Sequence, residues 1–231
     1  MYLSRLILNP RSKQALRDLG NSYEMHRTLC RAFPEAVAGG CGRILWRADH
    51  DSCRSLPVVY VQSEKQPDWM KLTSQFGDYL GDSESVNPAC RPITEAAFTF
   101  PVGRHLAFRL RANPTRKIAT STKAQRLAGQ KSNGKRVPLT RAEDQIAWLK
   151  RKGEASGFKP LQIDIIPVKS WGEKADRQKA NGGAVHRITL FGVQYEGILE
   201  VTESRAFFQT LCSGIGPAKG LGMGLLSIAP A

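Results

Sequence analysis

Hydrophobic positions along the chain fall into two rhythms, one of period two and one of period 3.6, and they predict strands alternating with helices. MYLSRLIL, residues 1–8, has a strand pattern. SYEMHRTL, Ser22 to Leu29, reads as a helix. At about 100° per residue, Tyr23, His26, Arg27, Cys30 and Arg31 share an arc of roughly 140°. Met25, Leu29, Ala32, Phe33 and Ala36 form an opposite apolar stripe that must face a core. Asn21 or Ser22 suits the N-cap, and Pro34 stops the helix near Phe33. GRILWRAD and LPVVYVQS, residues 42–49 and 56–63, read as strands joined by a polar loop containing His50. Residues 66–100 are poorly patterned, with a short helix near Asp68 to Phe76. RHLAFRLRA, residues 104–112, turns Leu106, Phe108 and Leu110 inward and Ala107, Arg109 and Arg111 outward. Strand, helix, two strands, short helix, strand is the order of a ferredoxin-like βαββαβ unit over residues 1–112.

Asn113-Pro114 breaks the pattern. Residues 113–136 hold seven basic and no acidic side chains, a composition that orders on binding rather than alone. Asn133-Gly134, flanked by Lys131, Lys135 and Arg136, suits a hairpin tip. LTRAEDQIAWLKRKG, residues 139–153, is a helix with Thr140 as N-cap and Glu143 at the capping-box position. Strands over 160–170 and 184–203, a helix at SRAFFQTL (204–211) and a final strand at LLSIAP (225–230) complete a second unit. The expected class is α+β: two tandem ferredoxin-like, RRM-like units over 1–112 and 113–231.

Charge sharpens this picture. The formal net charge is +14. Residues 104–152 carry 14 basic side chains against Glu143 and Asp144, whereas 1–103 carry 12 basic and 11 acidic. Concentration of this kind is the footprint of a polyanion partner. A membrane surface fits less well, because the segment has no wide apolar face bearing aromatics. No run of 18 apolar residues and no signal-peptide pattern occurs, so a cytoplasmic protein is expected. The five cysteines are odd in number and lack a CxxC, which argues against a disulfide framework. Cys41, His50 and Cys53 match no common zinc spacing. Free thiols are expected, with no metal and no cofactor.

GIGPAKGLGMG, Gly214 to Gly224, contains five glycines and Lys219. Such a run lets backbone amides approach phosphates. It lacks the GxxxxGK[ST] of a P-loop, and with seven residues left after Gly224 no βαβ dinucleotide unit can follow. SYEMHRTL, FRLRANPTRK, VQYEGILEVTE and GIGPAKGLGMGLLSIAP, in this order, resemble the CasE family. These are endoribonucleases that process CRISPR precursor RNA in type I-E Cascade systems, within the RAMP group, whose hallmark is a C-terminal glycine-rich loop. The resemblance spans nearly the whole chain. Residues 73–100, 121–135 and 170–184 carry none of it.

The resemblance implies metal-independent cleavage near the 3′ base of a repeat stem-loop. The partners it implies are that RNA and the other Cascade subunits, for a protein that is a monomer when free. It places Tyr23 and His26 on the family's catalytic pair. Arg31 stands where relatives often carry Lys, and a planar guanidinium meets phosphate differently from an ammonium. Metal-free cleavage needs the neighbouring 2′-OH to attack the phosphate. An imidazole serves as acid or base near neutral pH, and both roles stay open for His26. Arg27 and Arg31 are candidates to stabilise the added negative charge, and Tyr23 to orient the 2′-OH or stack on a base. Arg104, Arg109, Arg111, Arg116, Lys117, Lys135 and Arg136 are candidate phosphate contacts, with Gly216, Lys219, Gly220 and Gly222 of the loop. His50, His105 and His186 share no such face with Tyr and Arg. Two other readings remain: a non-catalytic RNA-binding subunit, and a small-molecule enzyme using the glycine loop.

Overall fold

The computed structural model describes residues 1–33, 41–50, 56–83, 85–94, 100–118, 134–168, 174–177 and 186–231. It is a mixed α/β architecture built on two four-stranded antiparallel sheets, each with its own apolar core. The first sheet holds β1 (Tyr2–Ile7), β2 (Ile44–His50), β3 (Pro57–Ser63) and β4 (Ala89–Pro92) in the order β2-β3-β1-β4. Its helices are α1 (Lys13–Gly20), α2 (Ser22–Cys30) and α3 (Trp69–Gln75). Met25 and Leu29 of α2 are fully buried with Leu6, Trp46, Val59 and Leu72, as the apolar stripe requires. Asn21 caps α2, its Oδ1 accepting from the Tyr23 and Glu24 amides at 3.0 and 3.4 Å. Pro34 and Ala36 lie outside the described residues.

The second sheet holds β5 (His105–Ala112), β8 (Phe158–Pro167), β11 (Val193–Val201) and β12 (Leu226–Pro230) in the order β12-β5-β11-β8. Helices α4 (Ala142–Glu154) and α5 (Ser204–Ser213) accompany it. Trp148, Phe158, Tyr195 and Phe207 fill its core, with Trp148 stacked on Tyr195 at 6.3 Å. Two two-stranded ladders belong to neither sheet: β6 (Thr115–Ile118) with β7 (Lys135–Pro138), and β9 (Lys174–Arg177) with β10 (His186–Thr189), of which β9 lies against α2.

Three expectations change. The alternation of β5 is as expected, but its sheet is not: β5 pairs with β11 and β12, while the short β4 takes the place beside β1. A division after Ala112 therefore separates β5 from both partners. Helix α1 has no counterpart in the expected elements. Thr140 is not the cap of α4, whose N-cap is Arg141 with no side-chain bond; Gln145 Nε2 instead donates to the Leu139 carbonyl at 2.9 Å.

Side chains from β2 and β3 join the two sheets. Arg47, almost fully buried, is ion-paired to Asp49 at 2.8 Å and donates to Ser227 Oγ at 2.9 Å. Gln62 Nε2 donates to the Leu211 carbonyl at 2.7 Å, satisfying an orphan acceptor near the end of α5. Among the described residues no helix is long and apolar enough to cross a membrane.

Candidate active site and nucleic-acid interface

The glycine run lies at this junction. Gly214, Gly216, Gly222 and Gly224 all have positive φ, and residues Lys219–Leu221 form a single 3₁₀ turn between them. The turn packs against α2 and β2. Trp46 Nε1 donates to the Gly220 carbonyl at 3.3 Å, and the Gly224 amide donates to the Arg111 carbonyl at 2.7 Å. The loop is thus anchored to both sheets.

Its glycines have different tasks. A Cβ at Gly216 would stand 3.1 Å from the Trp148 ring, and one at Gly222 would stand 2.9 Å from Trp46. Both glycines therefore serve packing as well as backbone conformation. Gly220 faces His26 instead: its missing Cβ would lie 3.5 Å from Nε2. Lys219 is turned inward, its Nζ donating to the Ser213 carbonyl at 2.6 Å at the C-terminal end of α5. Burial, with Arg43 and Lys152 nearby, lowers its pKa. Such a placement commits the ammonium to the helix end.

His26 is half-buried on α2 beside this turn. Burial is the cause that lowers its pKa, which favours the neutral imidazole. Its Nδ1 is buried and has no hydrogen-bond partner among the described residues. Nε2 stands 3.7 Å from Cys30 Sγ, which in turn lies 2.8 Å from Cys41 Sγ. Burial and the neighbouring Cys41 push the Cys30 thiol up to about 12. Nothing in the cysteine spacing announced this cluster, because Cys41 reaches it from outside α2. Cys53, considered with Cys41 as a ligand, lies outside the described residues.

Tyr23 is half-buried one turn before His26. Arg27 is held by Glu24 at 3.1 Å, and Arg17 shares the same carboxylate at 2.7 Å. Arg31 is exposed, with its guanidinium over the Phe76 ring at 5.2 Å. The helix thus presents one neutral imidazole, one phenol and two guanidiniums, of which Arg27 is partly neutralised.

The basic candidates separate into two groups. Arg116, Lys117, Lys135 and Arg136 are exposed on the β6–β7 hairpin. Its register sets Lys117 directly opposite Arg136. Like charges facing each other across a ladder destabilise it, and no acidic side chain lies on either strand to offset them. Arg109, by contrast, is bonded to Glu196 at 2.6 Å and to Asp49 at 3.3 Å. Arg111 is half-buried on the same strand, and Arg104 is exposed just before it. The Asn133 half of the expected hairpin tip lies outside the described residues.

Known proteins resemble this chain over its full length. The "CRISPR-associated endoribonuclease Cse3" of Thermus thermophilus is 36% identical over 234 residues, covering 100% of both chains. The "CRISPR system Cascade subunit CasE" of Escherichia coli is 30% identical over 233 residues, again covering 100% of both. A solved structure of Thermus thermophilus Cse3 bound to an RNA representing a pre-cleavage complex superposes with a TM-score of 0.74 at 34% identity, covering 99% of this chain and 98% of that one. Residues 1–230 match the profile of the family described as "CRISPR associated protein". The chain belongs to that family.

Proposed function

We propose that this protein is an endoribonuclease that cleaves CRISPR repeat stem-loops in precursor RNA and stays on the product hairpin as a Cascade subunit in the cytoplasm. The observation that carries the reading is the placement of His26 Nε2 against Gly220, where no side chain stands between the glycine-loop backbone and the imidazole. Full-length likeness to a named endoribonuclease supports it. Two tandem ferredoxin-like units, the second beginning at β5, provide the frame. The support for that frame is the order of strands: each sheet, counted by its own strands, runs 4-1-3-2.

The chemistry follows from the groups present. Neutral Nε2 takes the proton from the 2′-OH as its oxygen attacks the adjacent phosphorus. The bond to the 5′-oxygen breaks, and that oxygen leaves with a proton drawn from water, while the imidazolium returns its own proton to solvent. The products are a 2′,3′-cyclic phosphate and a 5′-OH, and no metal is required. General-base help of this kind contributes roughly 10²–10⁴-fold. Tyr23 orients the nucleophile, while Arg31 and Arg27 offset the charge of the phosphorane. The β6–β7 hairpin holds stem phosphates, since an A-form stem is read by shape and backbone.

The test is a hairpin RNA with a single 2′-deoxy substitution immediately 5′ of the scissile phosphate. It should bind as the all-ribose hairpin does and remain uncut, and EDTA should leave cleavage of the all-ribose hairpin intact. His26→Ala should bind and fail to cleave. Cleavage of the deoxy hairpin would sink the mechanism. Full activity in His26→Ala would assign the imidazole no part in it.

A further inference from the structure

Three soft donor atoms meet beside the proposed base. Cys30 follows His26 by four residues, so one helical turn brings its Sγ to 3.7 Å from Nε2. Cys41, just ahead of β2, places its own Sγ 2.8 Å from that of Cys30. The three ligand atoms all lie within 4.8 Å of one another, and all three side chains are half-buried. An imidazole with two thiols is a donor set that selects thiophilic cations over Mg²⁺ or Ca²⁺.

We propose that His26, Cys30 and Cys41 form a three-ligand site for Zn²⁺, and that filling it silences the nuclease. Tetrahedral zinc with bonds of about 2.0–2.3 Å separates its ligand atoms by about 3.5–3.8 Å. The His26–Cys30 pair already has this spacing. Cys41 reaches it by a small rotation that moves its sulfur about 1 Å away from that of Cys30 and towards the imidazole, from which it starts within 4.8 Å. Three protein ligands leave the fourth position to water, as in open zinc sites. The two thiols release two protons as the cation binds, so the exchange balances without an oxidant. The lone pair of Nε2 is then committed to the metal and is lost to the 2′-OH. Binding stands on the donor geometry alone; the silencing rests on His26 acting as proposed above.

The experiment uses the whole protein, kept reduced with a phosphine. Co²⁺ is titrated first, then displaced by Zn²⁺, and hairpin cleavage is followed across the same Zn²⁺ range. One Co²⁺ per chain should give an intense thiolate-to-cobalt charge-transfer band. Zn²⁺ should abolish cleavage, and EDTA should restore it. Cys41→Ser should cleave normally without metal, show a weakened band, and need more than about tenfold more Zn²⁺ for half-inhibition. Cys30→Ser should behave alike, and Cys90→Ser should behave as the wild type. Absence of the band, or a Cys41→Ser protein as zinc-sensitive as the wild type, overturns the site. If no RNA is cleaved under any condition, the endoribonuclease reading fails while the cobalt titration still decides whether the site exists.

Discussion

Gly220 stands against the imidazole of His26, with a Cβ at position 220 falling 3.5 Å from Nε2. Its backbone is not left-handed, so alanine fits without strain and meets the ring at ordinary van der Waals distance. The added methyl nevertheless occupies the approach to Nε2. Gly220→Ala should melt within about 0.5 kcal/mol of the wild type. Its single-turnover cleavage should fall about 10–100-fold, the scale of a reacting group displaced by about an ångström. Thermal melts beside single-turnover assays decide it: wild-type cleavage would remove Gly220 from the site.

Gly222, two residues on, should behave in the opposite way. Its φ is +78°, and a Cβ there would lie 2.9 Å from the Trp46 ring. Gly222→Ala should lose about 1–3 kcal/mol of stability through backbone strain and overpacking. Denaturant unfolding measures this directly. A neutral result would mean that the indole moves aside freely.

The pH dependence follows from His26. Burial holds its pKa below the ordinary 6.5, so kcat/KM should rise with pH to an inflection below that value and then level off. A bound phosphate favours imidazolium, which places the inflection in kcat higher than that in kcat/KM. The unfolded chain protonates His26 more readily than the folded one. Its contribution to stability is therefore full above about 6.5 and is lost as pH falls below it. His26→Asn should flatten the loss of stability between about pH 7 and pH 5. An unchanged slope in urea unfolding across that range would contradict the burial argument.

Salt dependence separates the two basic groups. Replacing Lys117 and Arg136 with Gln should reduce the slope of log Kd against log salt by about one for each phosphate left without its cation. Arg109→Gln should change that slope less, because Asp49 and Glu196 already neutralise its guanidinium. Equal effects would place β5 and the hairpin on one RNA-facing surface.

Much of this site was legible because its parts are local. The stripe of Met25 and Leu29 fixed which face of α2 points inward, and so which face carries Tyr23 and His26. The alternation of β5 was plain, yet alternation gives a strand its faces and never its neighbours, so its sheet was misjudged. Helix α1 escaped because it reverses the usual signal. Leu16 is 54% exposed, while Asp18 is buried and accepts from the Tyr79 hydroxyl at 2.9 Å. The inward turn of Lys219 and the meeting of Cys41 with Cys30 depend on the path of irregular backbone outside α2 and α5, which has no period for spacing along the chain to reveal.

The junction between α2 and the glycine loop also sets a timetable. His26 and Gly220 are 194 residues apart. At roughly 5–20 residues per second, a ribosome finishes the loop about 10–40 s after the helix. During that interval the first sheet has its own core, but Trp46, Arg47 and Gln62 still lack the carbonyls and hydroxyl they bond in the finished chain. A nascent chain therefore displays its histidine long before it has the loop that faces it. A message truncated before codon 214 yields a protein whose first sheet can form and whose α2 carries His26 with no glycine loop to meet it.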